Sequence, residues 1–217
     1  MKVNTDGVLL GAWANANHAA TILDIGTGTG VIALMMAQKN SEAFIKAIDI
    51  DKDSFLHAQE NFSNSPWSNR LEAHFSALQN FNPSQKFDLI ISNPPYFRND
   101  LKTTNPQKNI AKHSSALSYE ELLSGINRLL SETGKTFLVI PIFNYDIVSI
   151  IAMKENLFVS SLMEVIAVAD KNPYLVLLQL ERHAKQNILN KNITIKDQQG
   201  NFTTDYIAMT RDYYLKF

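Results

Sequence analysis

The sequence predicts an α/β fold: a seven-stranded, mostly parallel sheet with helices on both faces and an antiparallel C-terminal strand. Three observations predict it. Short apolar runs alternate with segments of helical periodicity along the 217 residues. One run, Ile22-Leu23-Asp24-Ile25, opens directly into a glycine-rich turn and a helix. The last two runs are separated only by Asp170-Lys171-Asn172-Pro173. That connection is long enough for a hairpin and too short for a crossover helix, so the final pair must be antiparallel.

In chain order, a helix is expected near Val8–Ala14, a strand at Thr21–Ile25 and a helix at Gly30–Gln38. A strand at Phe44–Ile48 and a helix at Lys52–Asn64 follow, with Asp51 as the N-cap of that helix. A strand is placed at Leu71–Phe75, and Phe87–Ser92 reads as a buried strand. The helix at Ser118–Ser131 carries Ser118 and, three residues on, Glu121, the pairing of a capping box. A strand at Thr136–Pro141, a helix at Asn144–Glu155 and strands at Val159–Ala169 and Tyr174–Glu181 complete the sheet. Residues 182–217 read as a small hairpin plus a short helix that shields the sheet edge. No repeat, linker or low-complexity tract divides the chain, so one domain is expected over residues 1–217.

Composition narrows the function. The chain is 45% apolar and 19% charged, with a net charge of −1 and no cysteine. Disulfides and thiolate metal sites are excluded, which fits a cytoplasmic protein. No apolar run approaches the ~20 residues that span a bilayer, so no membrane association is expected. The histidines His18, His57, His74, His113 and His183 show no metal-ligand spacing, so no metal is expected either. A polyanionic partner would need a local basic patch, since the net charge offers none. A monomer is the favoured state.

The first turn, Asp24-Ile25-Gly26-Thr27-Gly28-Thr29-Gly30, has the chemistry of a nucleotide-binding loop. Its glycines allow close backbone approach to a ligand. The helix after it offers free N–H groups and a partial positive charge to a carboxylate. An NAD site is disfavoured, because Val31 stands where the third glycine of G-x-G-x-x-G belongs. Asp24 would repel a pyrophosphate and suits a cationic amino-acid group. Asp49 ends the next strand, where a carboxylate accepts ribose hydroxyls. These features predict S-adenosylmethionine as cofactor and S-adenosyl-L-homocysteine as its product. Asp24, Gly26, Thr27, Gly28 and Gly30 would hold the methionine part, Asp49 the ribose, and Ile50 would pack on the adenine.

The second turn, Asn93-Pro94-Pro95-Tyr96, stands at the carboxyl end of a buried strand, where ligands bind in open α/β sheets. Two prolines lock φ and remove two N–H donors, giving a rigid turn with carbonyl acceptors. The Asn93 side-chain oxygen and the Pro94 carbonyl can each accept one hydrogen of an amino group, while Tyr96 offers a stacking face. An amine conjugated to a ring is a poor nucleophile, and holding its hydrogens out of plane favours the lone pair that attacks. Positioning and electrostatics should supply most of the rate. Asn93, which also borders the cofactor, Pro94, Pro95 and Tyr96 are therefore the candidate catalytic residues. Phe97 and Trp13 can help wall the pocket; a packing role is as good a reading for Trp13. Beyond the turn, Arg98, Lys102, Lys108 and Lys112 face a single acid, Asp100. That segment either grips phosphates beside a target base or is an ordinary solvated loop.

With these residues in place, the chain resembles the class I S-adenosylmethionine-dependent methyltransferases that carry an NPPY turn. More narrowly, it resembles the bacterial tRNA1(Val) (adenine(37)-N6)-methyltransferase family. The closer likeness rests on Lys2 through Trp13, Ser76-Ala77-Leu78-Gln79-Asn80-Phe81, Ala111-Lys112-His113 with Leu117 through Leu123, and Tyr206 through Leu215. It covers nearly the whole chain, with residues 1–14 as the opening cofactor-side motif. Family members usually carry a short extension ahead of that motif, so such an extension is expected to be missing here. The resemblance implies a Rossmann-like fold and methyl transfer to the N6 amine of a tRNA adenosine. Ser76 falls where many relatives have an acidic acceptor for the cofactor adenine, and Asn172-Pro173-Tyr174 where a basic residue is common. An anticodon-loop adenine is already partly unpaired, which lowers the cost of extruding it.

Other acceptors use the same turn, namely a release-factor glutamine or an rRNA or DNA base. The glutamine enzymes normally carry an N-terminal helical domain, and the DNA enzymes a target-recognition domain, for which too few residues follow the last strand. A non-catalytic cofactor-binding scaffold would not need the Asn93–Tyr96 geometry.

Overall fold

The computed structural model describes residues 4–95 and 117–216. Its strands are β1 (Thr21–Ile25), β2 (Phe44–Asp49), β3 (Leu71–Phe75), β4 (Phe87–Ser92), β5 (Leu130–Pro141), β6 (Phe158–Val168), β7 (Leu175–Glu181) and β8 (Leu189–Lys196). The helices are α1 (Thr5–Trp13), α2 (Val31–Lys39), α3 (Lys52–Ser63), α4 (Tyr119–Leu129), α5 (Tyr145–Lys154) and α6 (Thr204–Thr210). All eight strands form one sheet in the order β3-β2-β1-β4-β5-β7-β6-β8. Only β7 runs against the rest, paired antiparallel with both β5 and β6. Strand order reverses between β1 and β4, which pair in parallel with Ile25 opposite Ser92. A crevice forms at such a reversal, at the carboxyl ends of the strands.

Alternation along the central strands divides the core into two layers. Ile22, Leu89, Ile91, Phe137 and Val139 pack on one face with Leu9 and Leu10 of α1, Met35 and Met36 of α2, Phe62 of α3 and Tyr206 of α6. Leu23, Ile90, Leu138 and Ile140 pack on the other with Leu122, Leu123 and Ile126 of α4 and Val148 and Ile151 of α5. Trp13 belongs to the first layer, its ring meeting Phe137 edge-on with centroids 5.5 Å apart.

Four expectations are corrected. The sheet has eight strands, because Leu189–Lys196 pairs in parallel with β6 instead of folding back as half of a hairpin. The period-two alternation of Asn192-Ile193-Thr194-Ile195-Lys196 buries Ile193 and Ile195, and that burial outweighs the local turn. What remains of the hairpin is one bridge, Lys196 to Phe202, closed by the Asp197 N–H to the Asn201 carbonyl at 2.9 Å. Helix α1 starts at Thr5 rather than Val8, since the Asn4 side chain caps it by accepting from the Gly7 N–H at 2.9 Å. Strand β5 begins at Leu130, directly after α4, so the expected helix stops short of Ser131. The capping box at Ser118 and Glu121 and the Asp51 cap of α3 form as expected.

Candidate active site

Asp24, next to last in β1, is fully buried, and the chain turns just after Ile25. Its Oδ2 accepts a 2.7 Å hydrogen bond from the Thr27 hydroxyl, while Oδ1 is buried without a hydrogen-bond partner. Burial pushes its carboxyl up to about 7, against the hydrogen bonds from Thr27 and the Ala33 N–H. An orphaned carboxylate oxygen in the interior is costly unless a cation or donor reaches it. Gly26 has φ +69°, and nothing lies within 4 Å of where its Cβ would sit, so the turn leaves open space at that point. Gly30 has φ +83° and faces Phe62, whose ring would lie 2.5 Å from an added Cβ. Gly30 also stands at the N-cap of α2, where it has no side chain to cap the helix.

Asp49 ties this turn to β2. Its Oδ2 accepts from the Gly28 N–H at 2.8 Å and its Oδ1 from the Asp51 N–H at 2.9 Å. Both bonds fix the carboxylate and leave further lone pairs for hydroxyl donors. The Ile48 carbonyl receives the Gly26 and Thr27 N–H groups at 2.9 and 3.1 Å. Beyond Asp49, Ile50 is 61% exposed and Phe75 57% exposed, uncommon for residues of this size at strand ends. Phe75 lies beside Asp49 in the β2–β3 register, with its ring 6.0 Å from that of Phe55. Ser76 donates its N–H to the Asp49 carbonyl and its hydroxyl to the Ala77 carbonyl, both at 3.0 Å.

The second turn leaves β4 beside the first. Ser92 is buried and donates to the Ile25 carbonyl at 2.8 Å, pinning the ends of β1 and β4 together. Asn93 follows, half-buried, then Pro94 buried and Pro95 exposed. The Asn93 side-chain nitrogen lies 3.4 Å from the Asn4 Oδ1, the same oxygen that caps α1. With its N–H turned to Asn4, the amide oxygen of Asn93 is left to accept.

A model of the methyltransferase small domain matches residues 5–177. A curated tRNA1(Val) (adenine(37)-N6)-methyltransferase of Pseudoalteromonas translucida is 41% identical over 217 residues, covering 100% of this chain and 92% of that protein. The chain belongs to this methyltransferase family. A like-named protein of Bacteroides fragilis is 42% identical over 219 residues, again with 100% and 92% covered. Among solved structures, a predicted O-methyltransferase from Agrobacterium tumefaciens superposes with a TM-score of 0.72 at 14% identity, covering 95% of this chain and 96% of that one. That likeness carries the Rossmann-like methyltransferase fold.

Within the methyltransferase fold, the structure brings Asp24, Gly26, Thr27, Gly28, Gly30, Asp49, Ile50 and Ser76 around one turn, with Asn93 and Pro94 on the adjacent strand end. Thr27 buttresses Asp24 through its hydroxyl. Tyr96, Phe97, Arg98, Lys102, Lys108 and Lys112 lie outside the described residues. Two residues escaped the sequence reading. Asn4 was hidden because the apolar periodicity begins only at Val8, although Asn ahead of a helix is a capping signal. Phe75 read as an ordinary strand residue, and only its exposure marks it.

Proposed function

We propose that this protein transfers the methyl group of S-adenosylmethionine to the N6 amine of an adenosine in tRNA, adenine 37 of tRNA1(Val), leaving S-adenosyl-L-homocysteine. The observation that carries the reading is the side-by-side departure of the Asp24 and Asn93 turns from paired parallel strands at one sheet end. The full-length likeness to proteins named for that reaction supports the choice of acceptor. The residues fit the cofactor, since Asp24 presents a buried oxygen lacking a partner and Gly26 leaves open space beside it.

When bound, the cofactor supplies a methyl group already activated by its sulfonium. Asp24, steadied by Thr27, would hold the methionine ammonium. The uncapped N-terminus of α2 would receive the carboxylate. Asp49 would accept from the ribose hydroxyls, with Ile50, Phe75 and Ser76 around the adenine. The Asn93 oxygen and Pro94 carbonyl would each take one hydrogen of the acceptor amine and Tyr96 would stack on its base. Arg98, Lys102, Lys108 and Lys112 would grip neighbouring phosphates, an electrostatic contribution that weakens with salt.

Single-turnover methylation tests the reading, with unmodified tRNA and a release-factor protein offered side by side. Mass spectrometry of the digested tRNA should show N6-methyladenosine. Methyl transfer to the protein alone would leave the chemistry standing and overturn the tRNA acceptor. Calorimetric binding of NAD with no response to either sulfur nucleoside would overturn the cofactor.

A further inference from the structure

Next to the acceptor turn lies a cleft of about 810 Å³ that the proposed chemistry does not use. The N-terminus of α1, with Asn4 and Asp6, forms one wall, and Tyr174, Lys196, Phe202 and Tyr206 are among the residues lining the rest. Asn4 belongs to both places, since it lines the cleft while its Oδ1 lies 3.4 Å from the Asn93 amide. Two large rings open onto this space half-exposed, Tyr174 at 38% and Phe202 at 40%. Phe202 stacks on Tyr206 with centroids 5.3 Å apart, and the Lys196 ammonium sits 5.2 Å from its ring centroid. Aromatic faces, two lysines (Lys196 and Lys216) and one carboxylate together match a single chemical class. A nucleotide has a base face to stack, a phosphate to attract a lysine, and ring or exocyclic N–H groups that can donate to the carboxylate.

Resting on the tRNA reading above, we propose that this cleft is a second base-binding subsite, which holds a nucleotide flanking the target adenine. Its base stacks on Tyr174 or Phe202, and Lys196 faces its phosphate. The proposal follows from position as much as from composition. Extruding one base of a loop unstacks its neighbour, and an aromatic platform reached through Asn4 takes up the face so exposed. The subsite would thereby contribute binding and selection without contacting the reacting nitrogen. Lys196 ends β8 and Phe202 lies in the segment after it, so the eighth strand would serve recognition as well as covering the edge of β6.

An RNA with one base deleted tests it. Anticodon stem-loops are prepared with an abasic residue immediately 5′ or immediately 3′ of the target adenine. They are compared with the intact loop using wild-type protein, Y174A, Y174F and the double variant Y174A/F202A, and cofactor affinity is measured by calorimetry to show that each variant folds. For the wild type, one abasic loop should raise KM by roughly 10-fold with kcat within about 2-fold, the scale of losing one stacked base. The double variant should show that raised KM with the intact loop and lose nothing more with the abasic one, while Y174F stays close to wild type. An abasic penalty of equal size in wild type and double variant overturns the subsite, as does a wild-type KM for Y174A/F202A on the intact loop. No methylation of the intact loop by the wild type, with cofactor binding retained, overturns the tRNA reading and the subsite with it.

Discussion

The side chain of Asn4 caps helix α1 and also lies 3.4 Å from the amide nitrogen of Asn93, eighty-nine residues away in sequence. One oxygen thus serves two elements: it accepts from the Gly7 N–H and from the Asn93 side chain. The consequence is orientation. An amide free to flip would present its oxygen or its nitrogen to an acceptor amine, and only the oxygen is useful. Turning the nitrogen toward Asn4 fixes which end faces the crevice. Helix α1 is in turn anchored at its far end, where the Lys39 ammonium donates to the Ala12 and Ala14 carbonyls. Gly11 presses the helix onto α2, with Met35 Sδ 2.6 Å from where a Cβ would sit.

A substitution series at Asn4 separates the two duties. Asn4→Ala should lower thermal stability by about 1 kcal/mol, the usual cost of a lost N-cap, and slow methyl transfer about 10-fold through the misoriented amide. Asn4→Ser should restore stability, because serine caps as well, yet stay slow because its hydroxyl is too short to reach Asn93. Asn4→Asp should restore both. Melting curves and single-turnover rates on the same preparations check this, and a fast serine variant would remove Asn4 from the positioning of the amide.

Asn93→Ala should lower the catalytic rate by on the order of 100-fold while cofactor affinity stays within a few-fold, the scale of losing one preorganised hydrogen-bond partner. Asn93→Asp should be milder, since a carboxylate still accepts from an amine. It gives Asn4 no hydrogen, however, so Asn4 must rotate to donate and give up part of its cap. Pre-steady-state methylation with parallel calorimetry checks both variants; full transfer by Asn93→Ala would refute the mechanism.

Much of this was legible before the fold was seen, for identifiable reasons. The β1 turn and the β4 turn sit at strand ends that continuous apolar runs mark clearly, and Asp51 and Ser118 announce their caps by side-chain chemistry alone. What was hidden depends on distant partners. Strand β8 is exposed over its first half, Leu189 to Asn192, so only pairing with β6 makes it a strand. Phe75 and Asn4 carry no local signal of a site. Their importance comes from Asp49 and Asn93, brought beside them by the sheet and by α1.

Asp49→Ala should weaken binding of S-adenosyl-L-homocysteine by roughly 1.5–3 kcal/mol, the range for charge-assisted hydrogen bonds. The same carboxylate holds the Gly28 and Asp51 N–H groups. Melting temperature should therefore fall as well, even in the absence of ligand. Calorimetry and thermal melting read the two effects separately. A lowered melting temperature with unchanged affinity would make Asp49 an anchor of the loop only and send the ribose elsewhere.

The protonation of Asp24 should couple cofactor binding to pH. Burial holds its carboxyl at about 7 in the free protein, against 3.8 for an ordinary aspartate. Between those values the folded chain keeps a proton that the unfolded chain has lost. The stability contributed by this group is thus full below about 4 and is lost as pH rises through 7. A bound ammonium favours the carboxylate and reverses the balance, so binding should expel the proton. Cofactor affinity should rise as pH goes from about 6 to about 8 and then level off. Below pH 7, calorimetry in buffers of different ionisation heats should show close to one proton released per cofactor bound. Asn at this position carries no charge to bury. Asp24→Asn should therefore raise the melting temperature of the free protein at pH 8 and remove both the affinity and its pH dependence. A variant that binds S-adenosylmethionine as tightly as wild type would show that the ammonium is held by another group.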